Sequence, residues 1–119
     1  MIELHAISKS YKRKHIFEQL NMQFADNQLT VLLGENGAGK STLLRLISGI
    51  EQPNSGTIDY FGKTLSKRQI RNIVGYVPQD IALFEHMSAQ ENIQFFKSLC
   101  DKPVDDDTIA HYLKLLNFT

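Results

Sequence analysis

Residues 2–7 read Ile-Glu-Leu-His-Ala-Ile, a period of two that predicts a half-exposed strand. Residues 15–20 and 21–24 predict a second extended segment, and the polar stretch 25–28 turns the chain. Leu-Thr-Val-Leu-Leu over 29–33 is a continuous apolar run, the pattern of a strand buried on both faces in a parallel sheet. Leu43, Leu44, Leu46, Ile47 and Ile50 then predict a helix apolar almost all round, ended by residues 49–53. After a turn at 53–56, the strand formers of 57–61 and Gly62-Lys63 suggest a hairpin-like excursion. Polar, basic residues 66–72 suit a short helix, and 73–77 suits another buried strand stopped by Pro78. From Ser88 the pattern is helical: Ser88 and Glu91 fit a capping box, and Ile93, Phe96, Lys97 and Cys100 fall on successive turns. Pro103 breaks that helix. The acidic run 105–107 favours the start of another, with Ile109, Tyr112, Leu113 and Leu116 as its apolar face.

Between the apolar run and the apolar helix lies Gly-Glu-Asn-Gly-Ala-Gly-Lys-Ser-Thr, residues 34–42, which fits the phosphate-binding pattern G-x-x-x-x-G-K-[ST] without a mismatch. Gly34, Gly37 and Gly39 permit dihedrals that a Cβ disfavours, so successive N–H groups can turn inward around phosphate oxygens. Lys40 supplies a charge near the β- and γ-phosphates, Ser41 offers a hydroxyl to magnesium, and a helix starting near Lys40 aims its positive dipole end at the same anion. Gly34, Asn36, Gly37, Ala38, Gly39, Lys40, Ser41 and Thr42 are therefore the candidate nucleotide-binding residues. The competing reading is a glycine-rich turn without a ligand. Gln79 follows the expected strand 73–77, and ligands of open α/β sheets lie at the carboxyl ends of strands, so Gln79 is expected to face the same crevice.

Composition narrows the function classes. The chain has 119 residues, a length typical of one domain, and its 42% hydrophobic and 22% charged residues suit a soluble globular protein. Net charge is zero, and the cluster Lys12-Arg13-Lys14-His15 is short enough to be a solvated turn, so no nucleic acid partner is expected. No secretory signal pattern opens the sequence and no apolar run approaches the roughly 20 residues that span a bilayer, so a cytoplasmic location is expected. Cys100 reads as a structural thiol, and the four histidines lack ligand spacing, so no metal site is assigned to them. Asp105, Asp106 and Asp107 read as a helix start and not as a magnesium site, because consecutive helical side chains point in different directions.

Taken together, Ser8-Lys9-Ser10-Tyr11, the 34–42 loop, Leu46-Ile47-Ser48-Gly49, Gly56-Thr57-Ile58 and Tyr76-Val77-Pro78-Gln79 resemble the ATP-binding domain of ABC transporters over essentially the whole chain. The resemblance implies an α/β fold, a partial P-loop core of ABC type with an N-terminal antiparallel β region. Residues 1–80 would form the nucleotide-binding core and 81–119 the start of a helical subdomain. It further implies ATP and Mg2+ as cofactors, with Tyr11 stacking on adenine. Lys40 and Gln79 then act in catalysis, with Ser41 and Gln79 around the metal. The plainer alternatives are that Tyr11 is a hairpin aromatic and Gln79 a loop-capping amide.

The family also carries a Leu-Ser-Gly-Gly-Gln signature, an apolar run ending in Asp-Glu and a switch histidine, none of which occurs in these residues. Ile81-Ala82-Leu83-Phe84-Glu85 imitates the apolar run but lacks the Asp. The expectation is therefore the first half of a domain, a sheet with an open apolar edge, and nucleotide binding without turnover by these residues alone. Within an intact protein the resemblance implies an ATPase subunit that couples hydrolysis to transport. Its implied partners are a transmembrane subunit docking near residues 81–87 and a second ATPase domain, with the subunit peripheral at the inner face of the membrane. A soluble ABC ATPase outside transport and a non-catalytic binding fragment are the alternatives.

Overall fold

Alternation of apolar and polar residues makes strand β1 (Ile2–Tyr11), and a turn at Lys12 and Arg13 returns the chain as β2 (Lys14–Phe24). The computed structural model describes residues 1–37, 39–79, 83–99 and 104–117, and the chain divides into two units, Met1–Gln79 and Asp80–Thr119. In the first unit β3 (Ser55–Tyr60) joins the free side of β1, giving the order β2-β1-β3 with both pairs antiparallel. The segments expected at 15–20 and 21–24 are thus one strand. The basic cluster is exposed as expected, with Lys12 and Arg13 in the turn and Lys14 and His15 already paired in β2.

Strict alternation along β1 would bury Ala6 and expose Ile7, but the opposite occurs. Ala6 takes a left-handed φ of +51°, and both ladders slip register there, so that Ile7 is fully buried on the same face as Leu4. The backbone N–H groups at the bulge keep their partners: Ala6 N donates to Asn21 Oδ1 at 2.9 Å and Gln19 N to Ser8 Oγ at 3.1 Å. Gly56 lies against this bulge. A Cβ there would sit 2.4 Å from the Ala6 carbonyl oxygen, on a backbone whose φ is +93°.

The inward face of the sheet packs on helix α1 (Lys40–Ile47), where Leu4, Ile7, Leu43 and Leu46 form the buried cluster, flanked by Phe17, Leu20 and Ile58. The helix is buried on one side only: Leu43 and Leu46 face inward, while the apolar Leu44 is 45% exposed. Tyr60 is buried at the end of β3, donates its hydroxyl to the Ile47 carbonyl, and has its pKa pushed up to about 12 by burial. The turn after β3 closes as a single antiparallel bridge, Tyr60 N to Lys63 O at 2.7 Å and Lys63 N to Tyr60 O at 3.1 Å, the hairpin-like excursion reduced to one pair, while β3 itself pairs with β1.

Two expected strands are absent. Residues 29–33 form no strand, with Leu29 94% and Leu33 90% exposed, and Ile73 instead ends helix α2 (Lys67–Ile73), after which 74–77 form no strand. A buried parallel strand needs hydrogen-bonding neighbours, and among the described residues the only ladders run between β1, β2 and β3. The short helix expected near 66–72 is present as α2, and Ser66 caps it with Gln69 in a reciprocal capping box.

In the second unit, Ser88 caps helix α3 (Ala89–Ser98) together with Glu91, and Asp105 caps helix α4 (Asp106–Leu115) by accepting from Thr108 N at 2.7 Å. That bond holds the Asp105 carboxyl below its usual range, and Lys97, 2.7 Å away, does the same for Asp106. The acidic run is a helix start. Asn92 is buried and laces the preceding loop, accepting from Phe84 N and donating to the carbonyls of Phe84, Met87 and Ser88. Phe84 meets Phe95 edge to face at 4.9 Å. The expected apolar face of α4 is largely uncovered, with Tyr112 and Leu116 exposed. Ile81, Ala82, Cys100 and Pro103 lie outside the described residues.

The bulge generates a stability prediction. Gly56→Ala is expected to destabilise the protein by at least about 2 kcal/mol, through positive φ and backbone overlap together, read as a lower urea midpoint.

Candidate functional site

The glycine-rich loop hands the chain to α1 through Gly39, which is the helix N-cap at φ +97°. No side chain caps this end, and the first turn carries no acidic residue, so the early N–H groups and the positive end of the helix dipole face the loop. Gly37 turns with φ +86°, and a Cβ placed on it meets nothing within 4 Å. Positive φ falls at Gly37 and Gly39 of the loop, whereas Gly34 contributes its carbonyl, which accepts a hydrogen bond from the Lys40 ammonium. That contact holds the charge over the loop, where an anion bound there would meet it. Asn36 and Ser41 are exposed, and Thr42 is buried. Ala38 lies outside the described residues.

Gly39 is also where the loop meets the sheet. A Cβ on it would stand 2.7 Å from Ile16 Cγ2 and 2.9 Å from Phe17 Cζ, so only glycine satisfies both the left-handed φ and the approach of β2. The hairpin therefore forms one wall of the loop.

Tyr11, at the end of β1, connects to α1 through polar contacts. Its hydroxyl donates to Glu51 Oε2, the other carboxylate oxygen accepts from Arg45 Nε at 2.7 Å, and Arg45 Nη2 reaches Thr42 Oγ1 at 3.3 Å. Lys9 joins them, with Nζ 3.7 Å from Glu51 Oε2, 2.7 Å from the Gln52 carbonyl and 5.1 Å from the Tyr11 ring centroid. The Tyr11 hydroxyl, and secondarily Arg45 and Lys9, hold the Glu51 carboxyl below its ordinary value of 4.5. The Tyr11 hydroxyl and Glu51 in turn favour the charged guanidinium of Arg45.

Gln79 is exposed and follows residues that are not a strand, so it does not stand at the carboxyl end of a strand as the sequence suggested. The same missing lateral ladder accounts for this. Sequence reasoning also passed over Lys9, Ile16, Phe17, Arg45 and Glu51. The available signal was Arg45, a lone cation on an otherwise apolar stretch of helix, followed six residues later by a carboxylate.

Two outcomes are expected from this geometry. Gly39→Ala should weaken anion binding at the loop about tenfold or more, measured by calorimetry with Mg-ATP, because the loop must shift to relieve both strains. For Glu51 the folded pKa is depressed, so its stabilisation is complete above pH 4.5 and is lost as pH falls through the lowered value. Glu51→Gln is accordingly expected to cost about 1 kcal/mol at pH 7 in urea unfolding, with the gap from the parent closing as pH falls through the lowered Glu51 value.

Comparison with known proteins agrees with this geometry. The sequence model of a family described as ABC transporter matches residues 17–119. A sulfate/thiosulfate import ATP-binding protein of Thermosynechococcus vestitus is 40% identical over 122 residues, covering 99% of this chain and 36% of the relative. A spermidine/putrescine import ATP-binding protein of Ruegeria pomeroyi is 38% identical over 128 residues, covering 99% of this chain and 34% of the relative. An Fe(3+) ions import ATP-binding protein of Pectobacterium atrosepticum is 39% identical over 100 residues, covering 80% and 29%. The chain thus spans about a third of the length of these curated relatives. Among solved structures, CbiO1 of Clostridium perfringens, described as part of an ABC transporter complex, superposes with a TM-score of 0.72 at 26% identity, covering 95% of this chain and 47% of that one. Matched by the family model over most of its length and by these relatives at 38–40% identity, the chain belongs to the ABC transporter family, as an α/β P-loop ATP-binding cassette in part.

Proposed function

We propose that this chain binds ATP with Mg2+ through the loop at 34–42 and serves as the nucleotide-binding part of an ATPase subunit that couples hydrolysis to import across a membrane. The observation that carries the reading is the loop itself: a glycine-rich turn, open above Gly37, ends on an uncapped helix N-terminus with Lys40 bound across it. Those features fit a polyphosphate. The N–H groups around Gly37 and Gly39 and the Lys40 ammonium take the phosphate oxygens, with Asn36, Ala38 and Thr42 completing the loop. The Ser41 hydroxyl, exposed at the first turn, fits a magnesium ligand, and Gln79 is assigned to the metal and the attacking water. Magnesium would neutralise charge on the transferred phosphoryl group, while this chain's residues orient and hold the nucleotide. Tyr11 is assigned to the base.

Relatives named as import ATP-binding proteins support the assignment to import, and with it a transmembrane partner, a second ATPase domain and a place at the inner face of the membrane. Among the described residues no helix is long and apolar enough to cross a membrane. The docking patch is assigned to residues 81–87, of which Leu83 and Phe84 are exposed apolar side chains.

Lys40→Ala is expected to lower Mg-ATP affinity at least about tenfold in calorimetry, and unchanged affinity would overturn the assignment of the loop. The 119 residues by themselves are expected to release no phosphate from Mg-ATP above background. Steady turnover that depends on Lys40 would contradict that expectation.

A further inference from the structure

Tyr11 is a ring whose orientation is set from the far side. Rotation about its side-chain torsions would leave a free aromatic at the end of a strand to sample several directions, at an entropic cost to any ligand that must order it. Here the ring is constrained three ways: by its hydroxyl on Glu51 Oε2, by the Lys9 ammonium 5.1 Å from its centroid, and by the strand that carries it. Glu51 is itself fixed, because Arg45 Nε binds its second oxygen at 2.7 Å and Lys9 approaches the first at 3.7 Å. Arg45 then reaches Thr42, the last residue of the phosphate loop, which is buried.

One contact spans distant parts of the chain, Tyr11 to Glu51 bridging 40 residues, and the other, Arg45 to Thr42, stays within α1. A line of hydrogen bonds thus runs from the aromatic to the loop. We propose that Glu51, clamped by Arg45, is a positioning residue that presets the Tyr11 ring for a nucleotide base and ties that ring to the phosphate loop, an inference that rests on the reading of the loop as an ATP site. Lys9 covers one face of the ring, so the base stacks on the other. The device explains why a tyrosine stands at a position where stacking alone needs only an aromatic ring: the hydroxyl is the handle.

The test compares Mg-ATP with inorganic tripolyphosphate, which carries the phosphates without a base, on the full chain by calorimetry. Glu51→Gln and Tyr11→Phe are each expected to weaken Mg-ATP about tenfold and to leave tripolyphosphate within about twofold, because the ring remains but is no longer preset for the base. The double variant is expected to be no weaker than either single one, since both remove the same bond. Tyr11→Phe, which keeps the ring, serves where Glu51→Gln perturbs folding. Loss of Mg-ATP binding in Tyr11→Ala but not in Tyr11→Phe or Glu51→Gln would overturn the positioning role and leave the ATP site standing. Equal weakening of both ligands by Glu51→Gln would reduce Glu51 to a purely structural contact and overturn it too. Binding of neither ligand by the parent chain would sink the ATP reading, and the proposal with it.

Discussion

Leu4 and Ile7 of β1 meet Leu43 and Leu46 of α1 in a single apolar contact, and the placement of the phosphate loop depends on it. A glycine-rich loop has little stiffness of its own, since each glycine has more conformational freedom to lose on ordering than any other residue. Its position is therefore inherited from the two elements at its ends. Burial of large aliphatic side chains, at about 1.5–3 kcal/mol each, seats α1 on the sheet. With the helix seated, its N-terminus and Lys40 point into one place. The bulge at Ala6 is part of the same constraint, because without the register slip Ile7 would face solvent and half of the sheet's contribution to the cluster would be gone.

Polar contacts refine what the apolar contact places. Glycine at 39 lets β2 approach until Ile16 and Phe17 touch the loop, and the Lys9, Tyr11, Glu51 and Arg45 contacts join the end of β1 to the helix that follows the loop. The two kinds of force divide the work by geometry. Dispersion and burial are non-directional and fix distances between elements, whereas charge-assisted hydrogen bonds are directional and fix side-chain angles. The surroundings of the loop at 34–42 rest on both.

Elements whose causes are local were legible from the residues alone. The short helix near 66–72, the capping box at Ser88, the acidic helix start at Asp105 and the exposed turn at Lys12 and Arg13 appear where expected, because each is settled within a few residues of backbone. The loop at 34–42 was legible for the same reason. The runs 29–33 and 73–77 were misread, since an apolar run records only a capacity for strand, and a strand exists only with neighbours to satisfy its N–H and C=O groups. Gln79 lost its expected setting with them. The bulge was invisible because a strict period of two fits residues 2–7 equally well with Ile7 outside.

By itself the sequence determined the glycine-rich turn before α1, the helix starts at Ser88 and Asp105 and membership of the ABC transporter family, because those depend on residue type at short, fixed spacing. Tertiary structure alone decided which face of β1 is buried, that Gly39 lies against Ile16 and Phe17, and that Tyr11 is held by Glu51. The physical reason is separation along the chain: partners 40 residues apart meet only after the sheet and helix have packed, and no local spacing encodes that meeting.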